Sequence, residues 1–162
     1  MRQAGDDAPQ FSLPDLQEHA RSLAEGLQQG HLLLAFFKVS CPTCQFTFPF
    51  IQRLHEKLAG SKLTVWGISQ DDRDDSREFC RELEIDFPVL IDDPEYVVSN
   101  AYGLTNVPSV FLIDPNGKIV LAEKGFSKQE LESVDAQFKT SSREPGVPLF
   151  AAGEIIPASK PG

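Results

Sequence analysis

The sequence predicts one α/β domain, with a mixed central sheet flanked by helices. Three observations carry that expectation. Short, nearly continuous apolar runs alternate with longer stretches whose apolar residues recur at helical spacing, the order of parallel strands joined by crossover helices. Pro115-Asn116-Gly117 is a hairpin turn signal between the last two strand-like runs, which adds antiparallel pairing and makes the sheet mixed. The length, 162 residues, suits one ordinary domain and not two full ones.

Taken in order, Phe11, Leu13 and Leu16, with turns at Pro9 and Pro14, predict a short extended segment. Ser22–Gln28 predicts a short helix that stops at Gly30. Leu32–Val39 is apolar almost throughout and too short for a helix, so it predicts a strand buried on both faces. After Cys44, residues Phe46, Phe50, Ile51, Leu54 and Leu58 follow one helical face, with Pro49 inside that helix and Gly60 as its stop. Leu63–Ser69 predicts a strand, and Asp74–Leu83 a helix with Phe79, Cys80 and Leu83 facing inward. Phe87–Ile91 predicts a strand and Tyr96–Tyr102 a short helix before Gly103. Ser109–Ile113 and Lys118–Ala122 are the hairpin strands, and Lys128–Phe138 is a closing amphipathic helix. Residues 1–139 therefore read as the domain. Residues 140–162, with Pro145, Pro148, Pro157 and Pro161 among Gly146, Gly153 and Gly162, read as an extended tail.

Fifteen Lys and Arg stand against 24 Asp and Glu, a net charge of −9. This balance opposes general binding to nucleic acid or anionic membrane. The longest apolar run, Leu32–Phe37, is far shorter than the ~20 residues of a membrane span. Met1–Asp7 offers no apolar stretch for a secretory signal. A soluble cytoplasmic protein without membrane insertion is expected, although a chain trimmed of a leader would read the same. Asp71–Asp86 holds eight acids and three arginines and reads as a solvated helix face, with Asp74/Arg77 and Glu78/Arg81 spaced for ion pairs. A docking site for a basic partner is the rival reading of that run.

Cys41-Pro42-Thr43-Cys44 stands where the buried strand runs out and a helix begins. At a helix N-terminus, unpaired backbone N–H groups and the positive end of the macrodipole favour a thiolate, and the thiolate is the nucleophile. Cys41 is expected nearer solvent and reactive, and Cys44, one turn in, shielded. Pro42 suits the first helical turn, where its missing N–H costs nothing. Two intervening residues let the sulfurs meet in a small ring. Cys41 is thus the expected nucleophile and Cys44 the resolving thiol of a dithiol/disulfide exchange. No metal or organic cofactor is required. Zinc would need two more ligands, whereas Cys80 is alone and His19, His31 and His55 lack ligand spacing. Cys80, on a stripe with Ser76, Phe79 and Leu83, reads as a small core residue rather than a second resolving thiol. Phe36, Phe37, Phe46, Phe48 and Phe50 read mostly as core, with one or two lining a groove beside Cys41. Lys38 reads either as support for the thiolate or as an outward-pointing lysine.

These motifs in this order resemble the redoxin branch of the thioredoxin-like superfamily, shared by TlpA/ResA-type thiol-disulfide oxidoreductases and AhpC/TSA proteins. The resemblance spans roughly residues 5–139. It rests on Gly5-Asp6-Asp7-Ala8-Pro9-Gln10-Phe11-Ser12-Leu13, on Cys41-Pro42-Thr43-Cys44 with Pro49 after it, and on the segment from Tyr102 to Gly117 that carries Val107-Pro108. It implies a thioredoxin-like fold and a cis Val107–Pro108 bond facing the Cys41 sulfur. It also implies substrate contacts at Pro42, Thr43, Val107 and Pro108, where the Val107 backbone pairs with an extended partner chain. The implied partners are a protein disulfide or dithiol and a thioredoxin-reductase-like or other dithiol electron donor, with the chain a monomer. ResA-like proteins often work outside the cytoplasm. Three positions depart from the pattern. Ser40 replaces the usual Trp, Ala35 the buried Asp, and Thr47 the Glu after the second cysteine, so the acid–base group is either missing or supplied from elsewhere, by a water or a distant carboxylate.

Two rival functions follow from the same residues. An AhpC/TSA-type peroxiredoxin would use Cys41 on hydroperoxides, but it would place Thr or Ser at Lys38 and Pro at Leu34. A binding module would use the acidic surface or the tail, with the cysteines incidental.

Overall fold

The strand expected to be buried on both faces is the axis of the molecule. The computed structural model describes residues 1–139 and 149–162, so Pro145, Gly146 and Pro148 of the expected tail lie outside the described residues. The chain enters through a small hairpin, β1 (Ser12–Pro14) and β2 (Ala20–Ser22), followed by one helical turn, α1 (Leu23–Gly26), whose N-cap is Ser22. β3 (His31–Phe37) then runs through the middle of a five-stranded sheet.

After β3 come α2 (Pro42–Lys57), β4 (Leu63–Ser69), α3 (Arg73–Leu83), β5 (Val89–Ile91) and α4 (Val97–Ala101). The hairpin β6 (Ser109–Ile113) and β7 (Ile119–Lys124) follows, then a two-residue strand β8 (Phe126–Ser127) and α5 (Lys128–Phe138). The sheet order is β5-β4-β3-β6-β7. β3, β4 and β5 are parallel, while β6 and β7 are antiparallel additions, which is the mixed sheet the sequence predicts. The Asn116-Gly117 turn is fixed by Asp114, whose Oδ1 accepts the N–H groups of Asn116 and Lys118 at 2.9 and 3.0 Å, with Gly117 at φ +85°.

Alternation along β3 divides the core in two. Leu33, Ala35 and Phe37 face α2, α3 and α5 with Phe48, Ile51, Leu54, Phe79, Leu131 and Val134. Leu32, Leu34 and Phe36 face α1, α4 and the N-terminal stretch with Leu23, Trp66, Val98, Tyr102 and Phe111. Helices on both faces explain why the central strands carry no polar face.

Residues 149–162 return to the domain. Leu149 is buried, Phe150 packs on Phe50 at 5.0 Å between centroids, and Arg53 grips Glu154 through both guanidinium nitrogens at 2.7 and 3.0 Å. A last short strand, β9 (Ser159–Lys160), pairs antiparallel with β8. Neither β8 nor β9 carries a strand signal in the sequence.

Candidate active site at the start of α2

The exit of β3 delivers the cysteine pair to the N-terminus of a 16-residue helix. Cys41 is its N-cap, extended at φ −83° and ψ 115°, and its Sγ accepts the Cys44 N–H at 3.1 Å. A sulfur thus occupies the place where Ser or Asp oxygens usually satisfy a free helix donor. Pro42 is the first helical residue and exposed, and Thr43 is half-buried. Cys41 is half-buried and Cys44 is fully buried, the expected division.

Burial pushes the Cys44 thiol well above the ordinary cysteine range. Its hydrogen bond with the Cys41 side chain and the negative charges of Cys41 and Asp71 push it further, against a backbone hydrogen bond from Lys38. The Cys41 sulfur and the Cys44 backbone are in direct contact through the 3.1 Å hydrogen bond.

Facing them, the Val107–Pro108 bond is cis, as the resemblance implies, and the Cys41 thiol points at the Val107 carbonyl at 3.5 Å. Pro108 is buried and its carbonyl accepts the Gly125 N–H at 2.7 Å; Ser109 Oγ donates to the Asn106 carbonyl at 2.8 Å. These bonds fix the loop opposite the helix. Cys41 thus touches Val107 and Cys44 directly, with Pro42 and Thr43 in the first turn of α2 and Pro108 next to Val107 along the chain.

The Lys38 side chain is engaged apart from the cysteines, its ammonium over the Tyr96 ring at 5.5 Å. Of the five clustered phenylalanines, Phe36, Phe37, Phe48 and Phe50 are core, and only Phe46 is half-buried beside the motif, edge-on to Phe126 at 5.0 Å. His19, His31 and His55 sit apart, near Asp15, Phe138 and Asp86 respectively.

Two carboxylates bear on the acid missing at Ala35. Asp71, counted in the sequence as part of a solvated face, accepts the Val39 N–H at 2.7 Å and reaches Cys44 with its charge. Only register reveals it: Phe37 pairs with Ser69, so Asp71 stands beside Val39 at the ends of two parallel strands. Glu123 lies on the row Ala35–Val110–Glu123 and lines a small cavity with Leu33, Thr47 and Val110. Burial, then Glu130, raises its carboxyl above the usual range.

Cys80 lies in the core at 7% exposure, its thiol pushed up to about 12 by burial. It should resist alkylation in the native state, and rapid labelling would contradict this placement. The folded state holds the Cys80 proton above the ordinary value of 9.0, at which an unfolded thiol loses it, so this contribution is complete below about pH 9 and is lost as pH rises toward about 12. Cys80→Ala should therefore flatten the alkaline loss of stability by roughly 1 kcal/mol per pH unit above pH ~9. Denaturant titrations at several pH values measure this, and parallel curves for the two proteins would refute it.

The profile of the AhpC/TSA family matches residues 4–122. The thiol-disulfide oxidoreductase ResA of Bacillus thuringiensis subsp. konkukian is 28% identical over 130 residues, covering 79% of this chain and 74% of that protein. A crystal structure of a putative thiol:disulfide interchange protein DsbE from Chlorobium tepidum superposes with a TM-score of 0.75 at 28% identity, covering 85% of this chain and 96% of that one. Peroxidoxin BcpB from Mycobacterium tuberculosis superposes with a TM-score of 0.74 at 21% identity, covering 86% and 100%, a likeness of fold.

Proposed function

The chain belongs to the AhpC/TSA family, and from that premise we propose that it is a thiol-disulfide oxidoreductase exchanging the Cys41–Cys44 dithiol/disulfide with disulfides of partner proteins. The observation that carries this reading is the Cys41 sulfur as N-cap of α2, between the Val107 carbonyl and the buried Cys44. The similarity to ResA and to the DsbE-like structure points the same way.

The reaction has two displacements. The Cys41 thiolate attacks one sulfur of the partner disulfide; a Cys41–partner bond forms, the partner S–S bond breaks, and its other sulfur leaves as thiolate. Cys44, having lost its proton, then attacks Cys41 Sγ, forming the Cys41–Cys44 bond and expelling the second partner thiolate. Two electrons pass from the pair to the partner, and the two partner thiolates take up protons. The first step also activates the second. Once Cys41 is in a mixed disulfide, its negative charge no longer opposes ionisation of Cys44. Run in reverse, the sequence oxidises a partner dithiol, and the relative potentials set the direction.

A dithiol donor, thioredoxin-reductase-like or otherwise, returns the pair to its reduced form at the same face, and the chain works as a monomer. Among the described residues no helix is long and apolar enough to cross a membrane. The peroxidatic alternative is the weaker one: at the positions where it needs a hydroxyl and a proline stand Lys38, turned to Tyr96, and Leu34, buried in the core.

Trapping tests the proposal. Cys44→Ser incubated with a protein disulfide such as insulin should accumulate a covalent adduct that dithiothreitol releases, and Cys41→Ser/Cys44→Ser should not. Absence of the adduct, or faster turnover of hydrogen peroxide than of protein disulfide by the unaltered chain, would overturn it.

A further inference from the structure

We propose that residues 158–162 are a built-in occupant of the partner-binding groove, a strap that competes with the incoming polypeptide and has to leave before a protein disulfide reaches Cys41. This deepens the exchange function proposed above and rests on it.

The path of the strap is laid out by hydrogen bonds. The Ala158 carbonyl accepts the Lys128 N–H at 2.9 Å, and Ser159 and Lys160 pair antiparallel with Ser127 and Phe126. One residue further, the Pro161 carbonyl accepts Thr43 Oγ1 at 2.7 Å, and Thr43 stands between the two cysteines. Gly162 then lies on the Val107 carbonyl so closely that a Cβ there would come within 2.5 Å of its oxygen. Thr43 and Val107 are the residues proposed to hold the partner chain. The strap uses them as an extended peptide would, through backbone carbonyls and a small residue rather than through side-chain pockets.

The groove is shaped to this occupant. Gly125 is buried at φ +73°, and a Cβ on it would collide with the Lys160 carbonyl and lie 2.9 Å from the Gly162 nitrogen. The Lys160 ammonium rests over the ring of Phe46 at 4.7 Å, the half-buried phenylalanine beside the motif. The partner that fits is therefore an extended polypeptide that offers a carbonyl to Thr43 and a small residue over Val107.

The hold is unequal along the segment. Leu149 is buried at 3% exposure, and Glu154 is held by both Arg53 nitrogens, whereas Ser159, Pro161 and Gly162 are exposed. Release of residues 158–162 is a local opening that leaves the anchor in place. The tethered strap competes at a high effective concentration. Cys41 itself stays half-exposed, so a small disulfide has no need to displace the strap. The strap thus separates protein substrates from small ones.

The test compares the unaltered chain with the full-length variant Lys160→Asp/Gly162→Val, which removes the cation over Phe46 and sets a branched side chain against the Val107 carbonyl. With the open state at roughly a tenth of the population, KM for a protein disulfide such as insulin should fall about tenfold at unchanged kcat. KM for 2-hydroxyethyl disulfide should stay the same. Equal insulin KM values, or a rise in the variant, would overturn the strap while leaving the exchange function standing. Absence of exchange with either substrate in both proteins would instead overturn the function beneath it. A second readout needs no strap substitution. In the insulin adduct of Cys44→Ser, the Lys128 amide should exchange its hydrogen about tenfold faster than in the free protein, and unchanged protection would refute displacement.

Discussion

Cys41→Ser is expected to lower protein-disulfide exchange by more than about 10³-fold, because a serine hydroxyl cannot supply the sulfur nucleophile on which both displacements depend. The variant isolates chemistry from folding. Ser is a preferred helix N-cap, so its hydroxyl can accept the Cys44 N–H that Cys41 Sγ now accepts at 3.1 Å. The thermal midpoint should stay close to that of the unaltered chain while insulin reduction disappears. Residual activity within tenfold would show that Cys41 is not the attacking group. The contrast with Cys44→Ser matters as well: that variant keeps the nucleophile and loses only the release step, so it should bind covalently and stall.

Phe37→Ala should be the most damaging single change to the fold, at about 3–5 kcal/mol. Phe37 is the last residue of β3 and has no exposed surface. Its ring stacks on Phe79 at 4.6 Å and 29° and leans on Phe48 at 4.4 Å. Truncation leaves a cavity between α2 and α3 that aromatic neighbours on two helices cannot close without moving both. For a chain of this size the loss should lower the thermal midpoint by roughly 10 °C. Chemical denaturation gives the free energy directly, and a loss below about 1.5 kcal/mol would mean that the site collapses around the gap. The same truncation loosens the seat of the helix that presents Cys41, so exchange should slow even at temperatures where the variant remains folded.

Legibility in the sequence followed the range of the interactions involved. β3, β4, β6 and α5 were readable because burial imposes a local period: continuous apolar residues where both sheet faces are covered, and a 3.6-residue spacing where one helix face is. The hairpin was readable because Asn116-Gly117 permits the turn. The small hairpin of β1 and β2 shows as one extended segment only, since three-residue strands are too short to display alternation. β8 and β9 lie 32 to 34 residues apart in sequence and hold two residues each, so nothing local marks their pairing. Pro and Gly in the tail indicate an extended chain without indicating what it lies against.

The amino-acid order by itself determined the layered α/β architecture, the position of the cysteine pair at a strand-to-helix junction, and the contrast between an accessible first sulfur and a shielded second one. Each depends on residues adjacent along the chain or within a single turn. Tertiary structure alone decided that Asp71 stands beside Val39, that Glu123 shares a row with Ala35, and that Pro161 and Gly162 lie on Thr43 and Val107. Those contacts come from strand register and from the return of a distant segment. They are set by the packing of the whole sheet, which no window of sequence contains.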